Sequence, residues 1–177
     1  MSTGKCNNVL LVILRPGTDN GAIKSKGVHI METKDVLKKI REDNNLTQDQ
    51  FAERVLVTRQ AVSRWETGET QPNTETLKIL SREFNVSINT LLGSPRKLYC
   101  QCCGMPLNDD ADISREPDGF FNEDYCKWCY TDGDFVYQSK DALLDFLMAN
   151  MPNPEKLEDD DRRLQYDGWL SQLKHWK

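Results

Sequence analysis

The chain has 177 residues, of which 29% are charged and 8% aromatic, with a mean hydropathy of −0.66 and a formal charge of −5. That length admits one medium domain or two to three small ones, and no apolar run is long enough to span a bilayer as a helix. Lys and Arg number four against two acids in residues 1–32, nine against nine in 33–93 and ten against seventeen in 94–177. The acidity therefore does not exclude nucleic acid from a neutral middle segment, provided its basic residues gather on one face.

Residues 1–32 read as an N-terminal extension. Residues 1–30 hold Pro16, Gly17, Gly21 and Gly27 and show no sustained periodicity. "VLLVIL" (9–14) follows Lys5 and lacks the length and small-residue cleavage site of a signal peptide. The segment is expected to be a disordered arm, or a short strand at 9–14. Met31, where helical patterning begins, is the expected natural start. Without an export signal the expected compartment is the cytoplasm, where thiols stay reduced.

Residues 33–93 predict five short helices. Val36, Leu37, Ile40 and then Leu46 space a first apolar face by threes and fours. Thr47 with Gln50 forms a capping box for "QDQFAERV". Thr58 caps "RQAVSRWET", which Gly68 ends. Asn73 or Thr74 starts "TETLKILSREF", and Ser87 caps "INTLLG". Connections this short suit a compact all-α domain.

"SPRKL" (94–98) is a linker. Residues 99–136 are rich in Cys, Gly and Asp and poor in helix signals, so a metal rather than an apolar core is expected to hold them. Residues 137–177 predict C-terminal helices: "SKDALLDFLMANM" (139–151), stopped by Pro152, then a last helix over 155–177. Leu157, Leu164, Trp169, Leu170, Leu173 and Trp176 supply the apolar side of that helix, and "EDDDRR" (158–163) its solvated face.

In the segment "LTQDQFAERVLVTRQAVSRWETGE", Ala52 lets two helices approach, while Val57 and Val62 fill the corner between them. Arg59, Gln60, Ser63 and Arg64 share the outer part of the second helix. A helix fits the major groove, where Arg pairs with guanine and Gln with adenine. Thr47 and Gln48 begin the preceding helix and can donate to a phosphate. Over 34–93 the sequence, with its L-T-Q entry, A-V-S-R-W-E core and V-S-x-x-x-L-L close, resembles the Cro/lambda-repressor-like (XRE-type) DNA-binding family. The resemblance implies base reading by Arg59, Gln60 and Arg64 with Ser63, and phosphate contacts by Gln48 and Thr58. It also implies an ion pair between Arg41 and Glu66 and a core position for Trp65. Leu56 departs from it, since many members place Gly there. A left-handed backbone at Leu56 costs about 1–2 kcal/mol, so the turn is expected to differ.

Cys100 and Cys103 form one C-x-x-C, and Cys126 and Cys129 form another 22 residues on. This is close to the zinc pattern of two such pairs about 15–20 residues apart, in which four thiolates surround Zn²⁺ at about 2.3 Å. Gly104 permits the backbone to wrap around the sulfurs, and both histidines, His29 and His175, lie far off in sequence. A closed four-thiolate site leaves no position for water, so the single Zn²⁺ is expected to be structural. "YCQCCGMPL" with "NEDYCKWCYTDGDF" resembles a zinc-ribbon family found fused behind XRE-type domains. Cys102 is surplus to that site. It is read as a neutral substitution, or as a redox-sensing thiol beside the metal.

The fold class that follows is mainly α: a five-helix lambda-repressor-like DNA-binding domain, a small zinc ribbon and C-terminal helices. The expected function is sequence-specific regulation of transcription, without enzymatic activity, by a homodimer on double-stranded DNA. The C-terminal half offers a surface for a protein partner. Two alternatives stand beside this: an antitoxin-like protein-interaction module and a thiol-based redox protein.

Overall fold

The computed structural model describes residues 31–93 and 96–177. The expectations for residues 1–30 lie outside the described residues. Among those described there are seven α-helices and six short strands, and no helix is long and apolar enough to cross a membrane.

Five helices build the first domain: α1 (Thr33–Asp43), α2 (Gln48–Arg54), α3 (Arg59–Thr67), α4 (Thr74–Phe84) and α5 (Ile88–Leu91). The starts of α2 to α5 are set by side chains. Thr47 and Gln50 close a reciprocal capping box, while Thr58, Asn73 and Ser87 each accept from a backbone N–H three residues on, satisfying donors that have no partner within the helix. Gly68 ends α3 with a left-handed backbone, and Asn85 ends α4 the same way. Val36, Leu37 and Ile40 turn inward from α1 to meet Phe51, Val55, Val62, Leu80 and Leu91. Phe51 stacks on Phe84 at 4.8 Å between ring centroids. Trp65 is buried in this core.

The expectation for Leu56 is corrected. It adopts the left-handed conformation, with φ 57°, and its side chain is 83% exposed. The α2–α3 turn keeps the geometry that a glycine would favour, and the chain carries the strain.

Three two-stranded antiparallel hairpins follow: β1 (Leu98–Tyr99) with β2 (Pro106–Leu107), β3 (Ile113–Arg115) with β4 (Phe121–Cys126), and β5 (Tyr130–Thr131) with β6 (Asp134–Phe135). One core holds Cys100, Cys102, Met105 and Ile113 together with Leu143, Leu144 and Leu147 of α6 (Lys140–Asn150) and with Tyr166 and Leu170 of α7 (Asp159–Leu170). Hairpins and helices share this one core.

The last helix also differs from expectation. It begins at Asp159, Leu164 is 71% exposed, and the buried face is Arg162, Tyr166 and Leu170. Arg162 turns inward because α6 ends there: its guanidinium donates to the carbonyls of Leu147, Met148 and Met151, the last turn and C-cap of α6, where carbonyls run out of helical donors. Arg163 bridges to Asp141 and Asp145 on α6. "EDDDRR" is therefore partly a helix–helix contact. The Trp/Leu stripe packs within the chain, with Leu173 buried and Trp169 and Trp176 against the core.

Candidate nucleic-acid interface and metal centre

Helix α3 lies with Val62 and Trp65 inward. Thr58, Arg59, Gln60 and Arg64 are exposed and Ser63 is half-buried, so the residues expected to read DNA share the solvent side of one helix. Two carboxylates hold its cations. Asp49 lies 3.5 Å from Arg59 and Glu69 lies 3.7 Å from Arg64. Both pairs are exposed, where such contacts contribute little to stability.

Beneath this face lies the pair implied by the resemblance. Arg41 Nε and Nη2 donate to Glu66 at 2.6 and 3.1 Å, and Arg41 Nη1 donates to the Leu46 carbonyl. Gln48 donates its side-chain amide to Glu66 Oε2 at 2.9 Å. That amide is thus committed to the pair that fixes α1, α2 and α3 together. Burial pushes the Glu66 carboxyl up, but the bonds from Arg41 and Gln48 outweigh it and hold the group below its usual value.

The four expected ligands converge. The Sγ atoms of Cys100, Cys103, Cys126 and Cys129 all lie within 4.8 Å of one another, with Cys103 and Cys126 3.9 Å apart. Four thiolates at about 2.3 Å from a tetrahedral ion stand about 3.8 Å apart, so the spacing fits Zn²⁺. The first pair sits in the β1–β2 hairpin, Cys126 ends β4 and Cys129 immediately precedes β5. Cys126 N–H donates to Cys100 Sγ at 3.3 Å. Hydrogen bonds from Cys103, Cys126 and Cys129 push the Cys100 thiol well below its ordinary value, and the bond with Cys100 pushes Cys103 up. The five described cysteines are free thiols.

Gly104 has φ 77°, and a Cβ there would fall on the Trp169 indole. His175, remote in sequence, folds back onto the ribbon, with its ring 4.0 Å from that of Phe135 and its N–H on the Gln101 carbonyl at 3.1 Å. Burial pushes its imidazole below the usual value. Beside it, Trp176 Nε1 donates to the Cys102 carbonyl at 2.7 Å and Lys174 Nζ to Asp124 at 2.6 Å. The closing "LKHWK" resembles the tail of zinc-ribbon proteins, but nothing near it in sequence names these partners, which lie 74 and 50 positions away.

Residues 37–91 match the helix-turn-helix family, and residues 99–177 match the zinc ribbon domain family. Over 62 residues the chain is 47% identical to the HTH-type transcriptional activator BcrR of Enterococcus faecalis, covering 35% of this chain and 30% of that protein. It is 36% identical over 62 residues to the antitoxin PezA of Streptococcus pneumoniae serotype 4, covering 39% of it. The chain thus spans about a third of the length of these curated relatives. A P22 c2 repressor in complex with synthetic operator is 31% identical, covering 34% of this chain and 92% of that one, with a TM-score of 0.34. A transcriptional regulator from Listeria innocua gives 28% and 0.36.

Proposed function

For a chain that joins a helix-turn-helix domain of the XRE type to a zinc ribbon domain, we propose sequence-specific regulation of transcription by a homodimer in the cytoplasm, without catalysis. The observation that carries this reading is the solvent side of α3, where Arg59, Gln60 and Arg64 stand together above a rigid Arg41–Glu66 pair. Placed in the major groove, these side chains read base edges with Ser63. The Thr58 hydroxyl and the Gln48 backbone N–H bind flanking phosphates. Each good base contact contributes about 1–3 kcal/mol of discrimination. One module of this size buries little surface, which favours two copies on two half-sites. Asp49 and Glu69 release their arginines when phosphates compete for them.

Zinc, when bound, supplies a closed structural cross-link through Cys100, Cys103, Cys126 and Cys129. Similarity to an antitoxin supports a second reading, in which the helical domain binds a protein partner and the zinc ribbon is the working surface.

Selection of random duplex DNA at physiological salt, with wild type beside Arg59→Ala/Gln60→Ala, tests the first reading. Enrichment of a two-half-site motif by wild type and its loss in the variant is the expected result. No enrichment by folded, zinc-loaded protein would overturn it in favour of the second.

A further inference from the structure

The ribbon grips the helix-turn-helix domain at one place. Asp110 accepts from the Ser87 N–H at 2.8 Å and from the Thr90 hydroxyl at 3.0 Å. Glu123 accepts from the Asn89 N–H at 2.9 Å. Arg115 donates to the Asn85 side chain, and Arg82 lies over the Phe120 ring. Ser87 is fully buried and Asn89 nearly so, while Asn89 also clasps the backbone of Arg96 through its N–H and carbonyl.

The gripping residues are themselves held by the second metal-binding pair. Lys127 lies between Cys126 and Cys129. Its N–H donates to the Asp112 carbonyl at 3.0 Å and its Nζ to the Ala111 carbonyl at 2.7 Å, pinning the turn that presents Asp110. Glu123 stands on β4 three residues before Cys126, and Ile113 pairs directly with Cys126. On the other side, Leu91 of α5 is buried in the core, and the Leu92 carbonyl accepts from the Thr33 hydroxyl at the start of α1. A bonded path therefore runs from the thiolates through two carboxylates to α5 and α1. The four-thiolate site is the cross-link that ties the β1–β2 hairpin to the end of β4, and metal binding at such a site is coupled to the local fold. Charge-assisted bonds from carboxylates to amides hold only while the carboxylates are kept in place.

We propose that the ribbon is a metal-dependent clamp: a filled four-thiolate site holds Asp110 and Glu123 on the backbone amides of Ser87 and Asn89, and an emptied site releases α5. Metal occupancy is thereby transmitted to the domain that carries α3, and the consequence for DNA rests on the regulator reading above.

The test is amide hydrogen exchange by NMR on the full chain. Loaded wild type protects the amides of Ser87 and Asn89, and zinc-loaded Asp110→Asn/Glu123→Gln exchanges them about tenfold faster, as expected for loss of a bond to a charged group. Stripping zinc from wild type with a chelator produces the same acceleration, while the amides of Phe51 and Leu80 stay protected. Should the double variant fail to hold zinc, Asp110→Asn alone gives the comparison within one molecule, since Ser87 accelerates and Asn89 does not. Protection of Ser87 and Asn89 that survives either stripping or substitution overturns the clamp. On a selected duplex, stripping weakens wild-type affinity about fivefold or more and has no further effect in the variant. Equal affinity of loaded and stripped wild type overturns the transmission to DNA. Failure of every form to bind DNA would sink the regulator reading and leave the exchange result standing.

Discussion

Arg41 and Glu66 meet from positions 25 apart in the chain, in a two-pronged pair at 2.6 and 3.1 Å that joins α1 to α3, with Glu66 nearly out of solvent. Glu66→Gln removes the charge but leaves Arg41 in place, and is expected to destabilise the first domain by roughly 2–3 kcal/mol. Urea unfolding at neutral pH measures this.

The same pair gives the domain an acid limit. Because the folded Glu66 carboxyl sits below its usual value, its stabilising contribution is complete above the unfolded carboxyl value of about 4.3. It disappears as pH falls through the lower, folded value. The stability gap between wild type and Glu66→Gln should therefore narrow as pH falls from 6 towards 3 in a urea series. A gap independent of pH would show that the charge contributes nothing.

Leu56 holds φ 57° with its side chain in solvent. Leu56→Gly relieves the left-handed strain without opening a cavity. It should stabilise the domain by about 1 kcal/mol, a rise of several degrees in Tm for a unit of this size. A calorimetric scan decides it.

Much of the first domain could be read directly from the sequence because its information is local. Thr47 with Gln50, Thr58 and Ser87 each act within three residues, and each helix starts where its cap predicts. The four ligand cysteines were equally legible, since two C-x-x-C pairs carry their geometry in their spacing. The orientation of α7 was not. Counting apolar residues favours Leu164, yet the helix turns Arg162 inward because the end of α6 presents three carbonyls to it. Nothing near Arg162 in sequence signals that partner. Asp110 and Glu123 read as two acids among many until the fold brings them to Ser87 and Asn89.

Each of Cys100→Ser, Cys103→Ser, Cys126→Ser and Cys129→Ser should abolish stable zinc binding. Cys102→Ser should retain one zinc per chain, since Cys102 lies outside the four-sulfur group. Elemental analysis of the purified variants measures this directly. Loss of zinc on replacing Cys102 would make it a ligand.

Gly104→Ala meets two obstacles at once: a backbone with φ 77° and the Trp169 ring against it. The strain alone is about 1–2 kcal/mol, and displacing Trp169 adds to it. The ribbon of this variant should lose zinc to a chelator faster than wild type, while the unfolding of the first domain, followed at Trp65, changes little. Equal chelation rates would mean that Trp169 moves aside freely.

The strap of Lys174, His175 and Trp176 over Gln101 and Cys102 also sets an order of events during synthesis. A ribosome delivers the chain from its N-terminal side, and the contacts within residues 33–93 are complete long before residue 176 emerges. The helical domain can thus fold early through mostly local contacts, whereas the ribbon must wait for a segment 74 residues downstream of Cys102. Until that segment arrives, the nascent chain carries a finished helical domain beside a ribbon that still lacks its closing strap.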